Sequence, residues 1–198
     1  IKRRVHLPDV TQPGIQIVNP GGWVTIGGGI TLTIGASGID LSTATTNLTL
    51  NCGLTLQGRQ SWKAAAGRTL DVAGAFTHTS AVVDFTSFNA SATLSGLAND
   101  ASGILGPWAT TGSGTTLNYV TNSAAGAISA FTNQTSATAA DLSNVTGANV
   151  NYSLAKPAGG TTMTGPITAN TIRVTSTSDN AITNAGNSIT LNGLIGVG

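Results

Sequence analysis

Between Gly28 and Val72, short runs of aliphatic residues alternate with threonine or aspartate. Successive side chains on a strand point to opposite faces, so each run sends its aliphatic residues to one side and its polar residues to the other. A strand this short buries too little surface to be stable alone, and the copies must therefore stack on one another. The pattern predicts an all-β protein, an elongated parallel β-solenoid or β-helix. The runs are Ile30-Thr31-Leu32-Thr33-Ile34, Leu48-Thr49-Leu50, Leu54-Thr55-Leu56 and Leu70-Asp71-Val72.

The same alternation assigns side chains to the two faces of each strand. We expect strands to form more than about one third of the residues, and any helix to be a single turn. The residues predicted to be almost fully buried are Ile30, Leu32, Leu48, Leu50, Leu54, Leu56, Leu70, Val72, Ile172, Val174, Ile189 and Leu191. The residues predicted to point outward are Thr31, Thr49, Thr55 and Thr190.

The spacing of the runs predicts how the coil is built. Equivalent apolar pairs recur at intervals of roughly six to eighteen residues. An interval of six is too short for a full turn of a three-sided coil, so we expect such pairs to lie on adjacent sides of one rung. An interval of sixteen to eighteen is close to one small turn, and should return the chain to the same side a rung later.

Changes of pattern divide the chain into four sections. Residues 1–22 form an irregular entry or cap segment with three of the six prolines and a candidate first strand at residues 15–18. Residues 23–75 form regular solenoid rungs, and residues 132–198 form further rungs. Residues 76–131 are irregular and hold six of the nine aromatic residues, which we expect to widen or plug the coil, although a carbohydrate-stacking platform is the alternative. These aromatic residues are Phe76, Phe85, Phe88, Trp108, Tyr119 and Phe131.

Composition supports this architecture and excludes several others. Only 8% of the residues are charged and Glu is absent, whereas Gly occurs 26 times, as in a chain of short strands and tight turns. An apolar content of 40% argues against disorder. The net charge is +1, and three of the eight basic residues lie at positions 2–4, so we expect no nucleic-acid partner. Residues 5–18 contain no signal-peptide core, and we expect no membrane span; either secretion information was removed or the chain is part of a longer one.

The sequence predicts no catalytic, cofactor-binding or metal-binding residues, and hence no enzyme and no cofactor. The seven Asp residues are dispersed; solenoid stacking could bring Asp40 and Asp71 together as an acid/base pair, but turn or strand-edge roles are commoner. His6 and His78 lack companion ligands at metal-site spacing. The single cysteine, Cys52, is interpreted as a small buried residue rather than a reactive thiol.

Asparagines are concentrated near the presumed corners of the C-terminal part. An Asn side chain can bond its own backbone and tolerates positive φ at such corners. The alternative is that some of them stack as Asn ladders inside the coil. The asparagines concerned are Asn170, Asn180, Asn184, Asn187 and Asn192.

Several motifs, taken in their order, resemble bacterial proteins that carry autotransporter-associated β-strand repeats. The resemblance covers residues 23–198, and it implies a secreted, passenger-type parallel β-helix on the surface of a Gram-negative-type cell. The sequence departs from the pattern at Pro107, where a glycine is expected, and we expect neither a C-terminal barrel nor an exported leader within these 198 residues. The motifs are residues 26–30 with 35–42, residues 47–51, Gln60-Ser61-Trp62 leading into residues 66–70, Gly103-Ile104-Leu105-Gly106-Pro107-Trp108-Ala109-Thr110, and residues 187–196.

A second resemblance covers a shorter part of the chain. Residues 155–167, Ala-Lys-Pro-Ala-Gly-Gly-Thr-Thr-Met-Thr-Gly-Pro-Ile, are similar to the linking segments of phage tail fibres. This resemblance implies a trimeric virion fibre, and it is the weaker of the two because it spans so little of the chain.

Together these observations predict an extracellular, non-enzymatic β-solenoid that builds a bacterial cell-surface structure or filament, with adhesion as a consequence. The alternative is a trimeric phage tail fibre or spike that binds a host surface glycan. Residues 191–198 contain no charge or proline, and residues 194–197 are apolar. We therefore expect an uncovered C-terminal edge that pairs with a longer chain or with another copy. A surface glycan is the other expected partner.

Overall fold

The computed structural model describes residues 9–155, 157, 159–175 and 181–197. Of the described residues 48% are in strands and 2% are helical, and the strands stack in parallel as a β-solenoid of about eight turns. The predicted fold class is thus confirmed. Within the described residues the only helix is the single 3-10 turn Gly114–Thr116.

The strands are short and are named here in chain order. Those of the first two thirds are β1 (Val10–Gln16), β2 (Val24–Ile26), β3 (Thr31–Leu41), β4 (Leu48–Leu50), β5 (Gly53–Leu56), β6 (Arg59–Ala64), β7 (Thr69–Val72), β8 (Phe76–Thr77), β9 (Val82–Asp84), β10 (Thr93–Ser95), β11 (Ala109–Thr111), β12 (Asn118–Asn122) and β13 (Ile128–Ala130). The remainder are β14 (Thr135–Ser136), β15 (Asn151–Ala155), β16 (Thr161–Thr162), β17 (Ile167–Thr175), β18 (Ile182–Thr183) and β19 (Ile189–Val197).

Strands β1 to β11 form a three-sided unit that we call the N-terminal coil. One side is the parallel sheet of β2, β4, β7 and β10. The second side consists of the first halves of β1 and β3 together with β5 and β8. The third side consists of the second halves of β1 and β3 together with β6, β9 and β11. The two middle rungs, β4 to β6 and β7 to β9, each contribute one strand to each side, and residues of the same kind lie above one another, as Leu48 and Leu70 do.

The strand register gives the length of a rung. Leu48 pairs with Leu70, 22 positions later, and Val83 pairs with Ala109, 26 positions later. The predicted rung of sixteen to eighteen residues is therefore too short for this coil, because one turn has to accommodate three strand segments and three corners. The prediction for the interval of six is confirmed, since β4 and β5 lie on adjacent sides of one rung.

The coil begins earlier than the sequence predicted. Val10–Gln16 pairs in parallel with β3, so part of the expected entry segment is already a rung. Parallel stacking gives way to antiparallel pairing at β11, β12 and β13, inside the section predicted to be irregular.

The core of the N-terminal coil is made by the inward residues of all three sides. Eight of the residues predicted to be buried are at most 4% exposed, which confirms the face assignment of these strands. They are Leu32, Leu48, Leu50, Leu54, Leu56, Leu70, Val72 and, in the C-terminal part, Ile172.

Four predicted core residues are less buried than expected. Ile30, Val174 and Leu191 are half-buried, and Ile189 is 48% exposed. Ile189 and Leu191 belong to β19, which is the edge strand of its sheet within the described residues. Val174 pairs with a glycine of β19, which has no side chain to cover it, and Ile30 precedes β3 at a corner.

The outward rows follow the prediction for threonine. Thr31 and Thr190 are exposed, and Thr49 and Thr55 are half-buried. Oγ1 of Thr55 lies 3.0 Å from Oγ1 of Thr77 on the next rung, so a hydrogen bond between hydroxyl groups joins these two rungs on the outer face.

Residues 76–131 are called the central section below. Most of their aromatic side chains are buried, as expected for residues that plug the coil. Phe85, Phe88 and Trp108 are buried in the N-terminal core together with Trp62. Tyr119 and Phe131 are buried in a separate small cluster with Ile104. Phe76 is half-buried against the N-terminal core. Phe85, Phe88 and Trp108 thus plug the N-terminal coil, as predicted, whereas Tyr119 and Phe131 pack in their own cluster.

Strands β14 to β19 form a second unit, the C-terminal coil. Its main sheet has the order β14, β15, β17 and β19, and β16 pairs with β18 on another side; all of these pairs are parallel. It has its own core. The buried residues of this core are Ala137, Leu142, Val145, Tyr152, Leu154, Met163, Ile167, Ala169 and Ile172.

Candidate functional site

Four aspartates occupy corners that share one local geometry. Each is followed two residues later by Ser or Thr, and its carboxylate accepts a hydrogen bond from that residue's backbone N–H at 2.8 to 3.0 Å. This Asx turn is what an aspartate at a corner forms most readily. The pairs are Asp40 with Ser42, Asp84 with Thr86, Asp100 with Ser102, and Asp141 with Ser143.

The structure places Asp40 and Asp71 on different sides of the coil. Asp40 lies in β3, where its carboxylate is 3.8 Å from the ammonium of Lys63, whereas Asp71 lies in β7 and accepts a 2.6 Å hydrogen bond from Ser95. Their strands belong to different sheets, so the stacking does not bring the two carboxylates together as neighbours in register.

Asp40 is held in its ionised form by its neighbours. Partial burial raises the pKa of its carboxyl, but hydrogen bonds from the hydroxyl and backbone N–H of Ser42 and the charge of Lys63 outweigh burial. The net result is a pKa below the ordinary value, which suits a structural carboxylate rather than a proton donor near neutral pH.

The cysteine and histidine candidates have separate locations. Cys52 is completely buried, as predicted, and burial raises the pKa of its thiol. His6 lies outside the described residues. His78 is exposed and lies beside Trp108. Among the described residues no group of three or more His, Cys, Asp or Glu is placed to hold a metal ion.

Three asparagines of the C-terminal coil form a ladder, but it faces Ser102 of the neighbouring part of the molecule and does not lie inside the coil, where the alternative interpretation of the sequence placed it. Asn192 donates from Nδ2 to Oδ1 of Asn170 at 3.0 Å, and Asn170 donates from Nδ2 to Oδ1 of Asn151 at 3.1 Å. Asn151 and Asn170 are buried, and Asn192 is exposed at the end. The ladder therefore carries amide groups from the buried contact with Ser102 to the surface.

The inner end of the ladder binds the Asp100 corner of the central section. Nδ2 of Asn151 lies 2.9 Å from Oγ of Ser102, and Nδ2 of Asn170 lies 2.7 Å from the same oxygen. The Ser102 hydroxyl in turn donates to Oδ1 of Asp100 at 2.6 Å. Hydrogen bonds thus run from one coil to a corner that belongs to the other part of the molecule.

Asp100 keeps acceptor capacity on its second oxygen. Its Oδ1 accepts from Ser102 and from the backbone N–H of Ile104. Its Oδ2 has a 3.3 Å contact with Nδ2 of Asn170. That amide nitrogen has two hydrogens and two closer acceptors, at 2.7 and 3.1 Å, so little of its donor capacity is left for Asp100.

Aromatic rings lie next to this polar network. The His78 ring lies 5.2 Å from that of Trp108, at an interplanar angle of 31°, and 5.7 Å from that of Phe76. Trp108 is buried and His78 is exposed, so the imidazole is the outermost ring of the stack.

The rings and the network together line a cleft of about 510 Å³ between the two coils. Its floor is buried, through Trp108 and Asn170, while the side chains around its rim are exposed. The residues that carry its chemistry are His78, Ser80, Asp100, Trp108, Asn170 and Asn192.

Further contacts hold the two walls of the cleft together. The Arg173 guanidinium of β17 donates to the backbone carbonyls of Leu117 and Thr115 at 2.7 and 2.8 Å. Ile195 of β19 packs on the small cluster that contains Tyr119, where burial raises the pKa of the phenol. The cleft is therefore set by tertiary packing of the C-terminal coil on the central section.

The sequence analysis did not predict this cleft, although two of its features are visible in the sequence as regular spacings. The Asp-x-Ser/Thr spacing recurs at each of the four corners, and Asn170 and Asn192 are separated by 22 positions, one rung of this coil. His78 and Asp100 were considered singly, and the structure brings both to the same cleft.

In comparisons with known proteins, no family model, curated protein or solved structure matches this chain. Among the described residues, no helix is long and apolar enough to span a membrane.

Proposed function

We propose that this protein is an extracellular structural and adhesive β-solenoid whose coils associate end to end in a bacterial cell-surface structure or filament. The fold is of a kind suited to this role, because a solenoid extends by adding rungs and presents long outer faces. The resemblance to autotransporter-associated repeats supports the same role. The comparisons with known proteins do not bear on that resemblance.

The observation that carries the proposal is a row of apolar side chains on β19. Ile189, Leu191 and Leu194, which we call the terminal row, pair in register with Ile167, Ala169 and Ile172 of β17. Paired residues of parallel strands point the same way, so the terminal row continues the core of the C-terminal coil. Nevertheless Leu194 is 61% exposed and Ile189 is 48% exposed, whereas all three β17 residues are buried.

A further rung in the same register would bury the terminal row and would pair with the edge of β19 that has no partner strand among the described residues. Edge strands that carry apolar side chains and no charge are prone to pair with other strands. Residues 189–197 contain no charged residue. The next part of a longer polypeptide or the first rungs of a second copy would supply such a strand, and head-to-tail contacts between copies that do not close would yield filaments.

Light scattering and electron microscopy of the purified chain test the proposal. We expect the average mass to rise with protein concentration and short filaments to appear. Leu194→Lys should abolish this association, because an ammonium group in the terminal row would have to be buried without a partner. The control is Ser129→Lys, which places the same charge at an exposed position of β13, an edge strand of another sheet. A monodisperse monomer at high concentration would contradict the proposal.

The proposed role is non-enzymatic and extracellular. In four aspartates a carboxylate oxygen is already engaged by a corner hydrogen bond, which is a structural use of the group. Antibody labelling of intact and of permeabilised source cells would locate the protein. Labelling that required permeabilisation would exclude a cell-surface position.

A trimeric fibre that binds a host glycan is the second candidate. The cleft between the two coils favours it, since a glycan-binding fibre needs a recess that combines rings and polar groups. The mass of the assembly distinguishes the candidates: a fixed trimer supports the fibre, and an open series of masses supports the filament.

A further inference from the structure

The cleft between the two coils has the composition of a small-molecule site. Ligand sites are concave, often about 300 to 1,000 Å³ in volume, and combine apolar walls with a few convergent polar groups. This cleft, at about 510 Å³, lies within that range. A second recess of similar size, beside β10, is lined by residues 93–99 and 122–126, which include no aromatic and no charged side chain.

The polar groups of the cleft can both donate and accept hydrogen bonds. Oδ2 of Asp100 has only its weak 3.3 Å contact, and this oxygen can accept two hydroxyl hydrogens. Asn192 is the exposed end of the amide ladder, and Ser80 supplies a hydroxyl at the rim. Such a mixed set matches a ligand whose hydroxyl groups are donors and acceptors at once.

The charge of the cleft restricts the ligand further. Asp100 is its only acidic residue, and none of the described lining residues is Lys or Arg. An anionic ligand would be repelled by the carboxylate and would find no Lys or Arg among these residues to bind it. The His78 ring, stacked over Trp108, offers a flat apolar face to a ligand that is itself partly apolar.

We propose that this cleft binds a neutral sugar, with the Asp100 carboxylate and the Asn192 amide bonding its hydroxyl groups and the His78 ring packing against one face. The inference rests on the adhesive part of the proposed function and names the ligand class for it. The buried Asn170 and the half-buried Ser102 act as positioning residues, because they fix the orientation of Asp100 and of the ladder.

Titration calorimetry and saturation-transfer NMR of the whole chain provide the test. The probes are glucose, galactose, mannose, N-acetylglucosamine and their short neutral oligomers, with glucuronic acid as the anionic comparator. We expect saturable binding of at least one neutral sugar, with a dissociation constant on the order of millimolar for a monosaccharide, and no tighter binding of glucuronic acid.

Asp100→Asn is the first variant, since it preserves shape but replaces an acceptor oxygen by an amide nitrogen. It should weaken binding by about tenfold. Asp84→Asn is its matched control, because Asp84 forms the same corner with Thr86 outside the cleft. His78→Ala is the second variant; His78 is exposed and takes no part in the Asp100 corner. This change should weaken sugar binding several-fold, and His78→Phe, which keeps an aromatic ring, should restore part of the affinity.

Three results would overturn the inference: no saturable binding of any neutral sugar by the folded chain, unchanged binding in Asp100→Asn and His78→Ala, or preferred binding of glucuronic acid. Light scattering of the same variants separates this inference from the proposed assembly. Association that persists without sugar binding overturns the ligand assignment alone, whereas sugar binding by a permanent monomer overturns the filament alone.

Discussion

Gly38 shows how closely consecutive rungs approach one another. Its φ is +65°, and a side chain there would overlap the backbone carbonyl of Ser61 on the next rung. Gly58 has a nearly identical φ of +66°, but no atom lies within 4 Å of the position that its Cβ would occupy. Substituting each glycine by alanine therefore distinguishes two free-energy costs: that of the left-handed backbone conformation, present at both positions, and that of the steric overlap, present only at Gly38.

We expect Gly38→Ala to destabilise the protein far more than Gly58→Ala. The second change costs about 1 kcal/mol for the left-handed conformation alone, and the first adds the displacement of a rung, for a total above roughly 3 kcal/mol. Urea denaturation followed by circular dichroism measures both. Equal losses would show that the rungs can separate freely at this corner.

The Asp40 carboxylate makes part of the stability dependent on pH. Its pKa is lowered in the folded protein, so its contribution is complete above the unfolded value of about 3.9 and is lost as the pH falls through the folded pKa. Because the group is partly exposed, we expect no more than about 1 kcal/mol.

The corresponding experiment compares urea midpoints at neutral pH and near pH 2. The wild-type protein should lose more stability on acidification than Asp40→Asn, and Ser42→Ala, which removes one of the donors, should fall between them. Identical acid sensitivity in all three proteins would contradict the assigned role of Asp40.

Single residues were predicted well where local alternation decides their environment. Leu48 and Leu50 are buried, and Thr49 between them points outward, because a strand's pleat fixes the side of each residue. Ile189 was predicted wrongly, although it belongs to the same kind of run. Its exposure depends on whether a strand lies above β19, and no local pattern contains that information.

At the scale of the element, each strand is stabilised by its neighbours in the stack. Leu50 of β4 pairs with Ile26 of β2 on one side and with Val72 of β7 on the other. Its side chain is completely buried between them. A short strand with two such neighbours contributes to the core of three rungs at once.

Replacing Leu50 by Asp should prevent folding, because the carboxylate would be buried in the stack without a partner. We expect a loss of several kcal/mol, which is comparable with the whole stability of a domain. Asn51→Asp, at the adjacent exposed position, is the control and should have little effect. Thermal denaturation and far-ultraviolet circular dichroism measure the result, and an unchanged melting temperature for Leu50→Asp would refute the face assignment.

The sequence predicted which elements are neighbours within a rung, but not the length of the rung. The six-residue spacing of β4 and β5 is local, and it was interpreted correctly. The 22-residue pairing of Leu48 with Leu70 depends on how much chain the third side and the corners use. Corner loops vary freely in length at little energetic cost, so spacing alone did not determine it.

At the scale of the whole molecule, the two coils are joined by contacts that are distant in sequence. Asn170 lies 68 positions from Ser102, and Arg173 lies 56 positions from Leu117. None of these residues stands out in the sequence, because a single Asn or Arg on a strand is ordinary. The cleft exists only through this packing, and therefore sequence analysis named His78, Asn170 and Asn192 without predicting that they meet in one site.

Gly193 of β19 is the point at which this packing is closest. A Cβ at this position would lie 2.8 Å from Cβ of Pro107 and 2.8 Å from the Tyr119 hydroxyl, both of which belong to the central section. Gly196, on the same strand, has no atom within 4 Å of its Cβ position. Both changes to alanine alter one strand in the same way, but only the first acts on the contact between the coils.

Gly193→Ala should push β19 away from the central section and loosen the cleft, at a cost of about 1 to 3 kcal/mol, because Pro107 is rigid and the tyrosine is buried. Hydrogen exchange should then increase in residues 100–119 and in β19, while the rungs of β4, β5 and β7 keep their protection. Gly196→Ala should leave both exchange and melting temperature nearly unchanged. If Gly193→Ala left exchange in residues 100–119 unchanged, the two coils would not be held together through this contact; if protection fell equally in β4, β5 and β7, the coils would unfold as one unit.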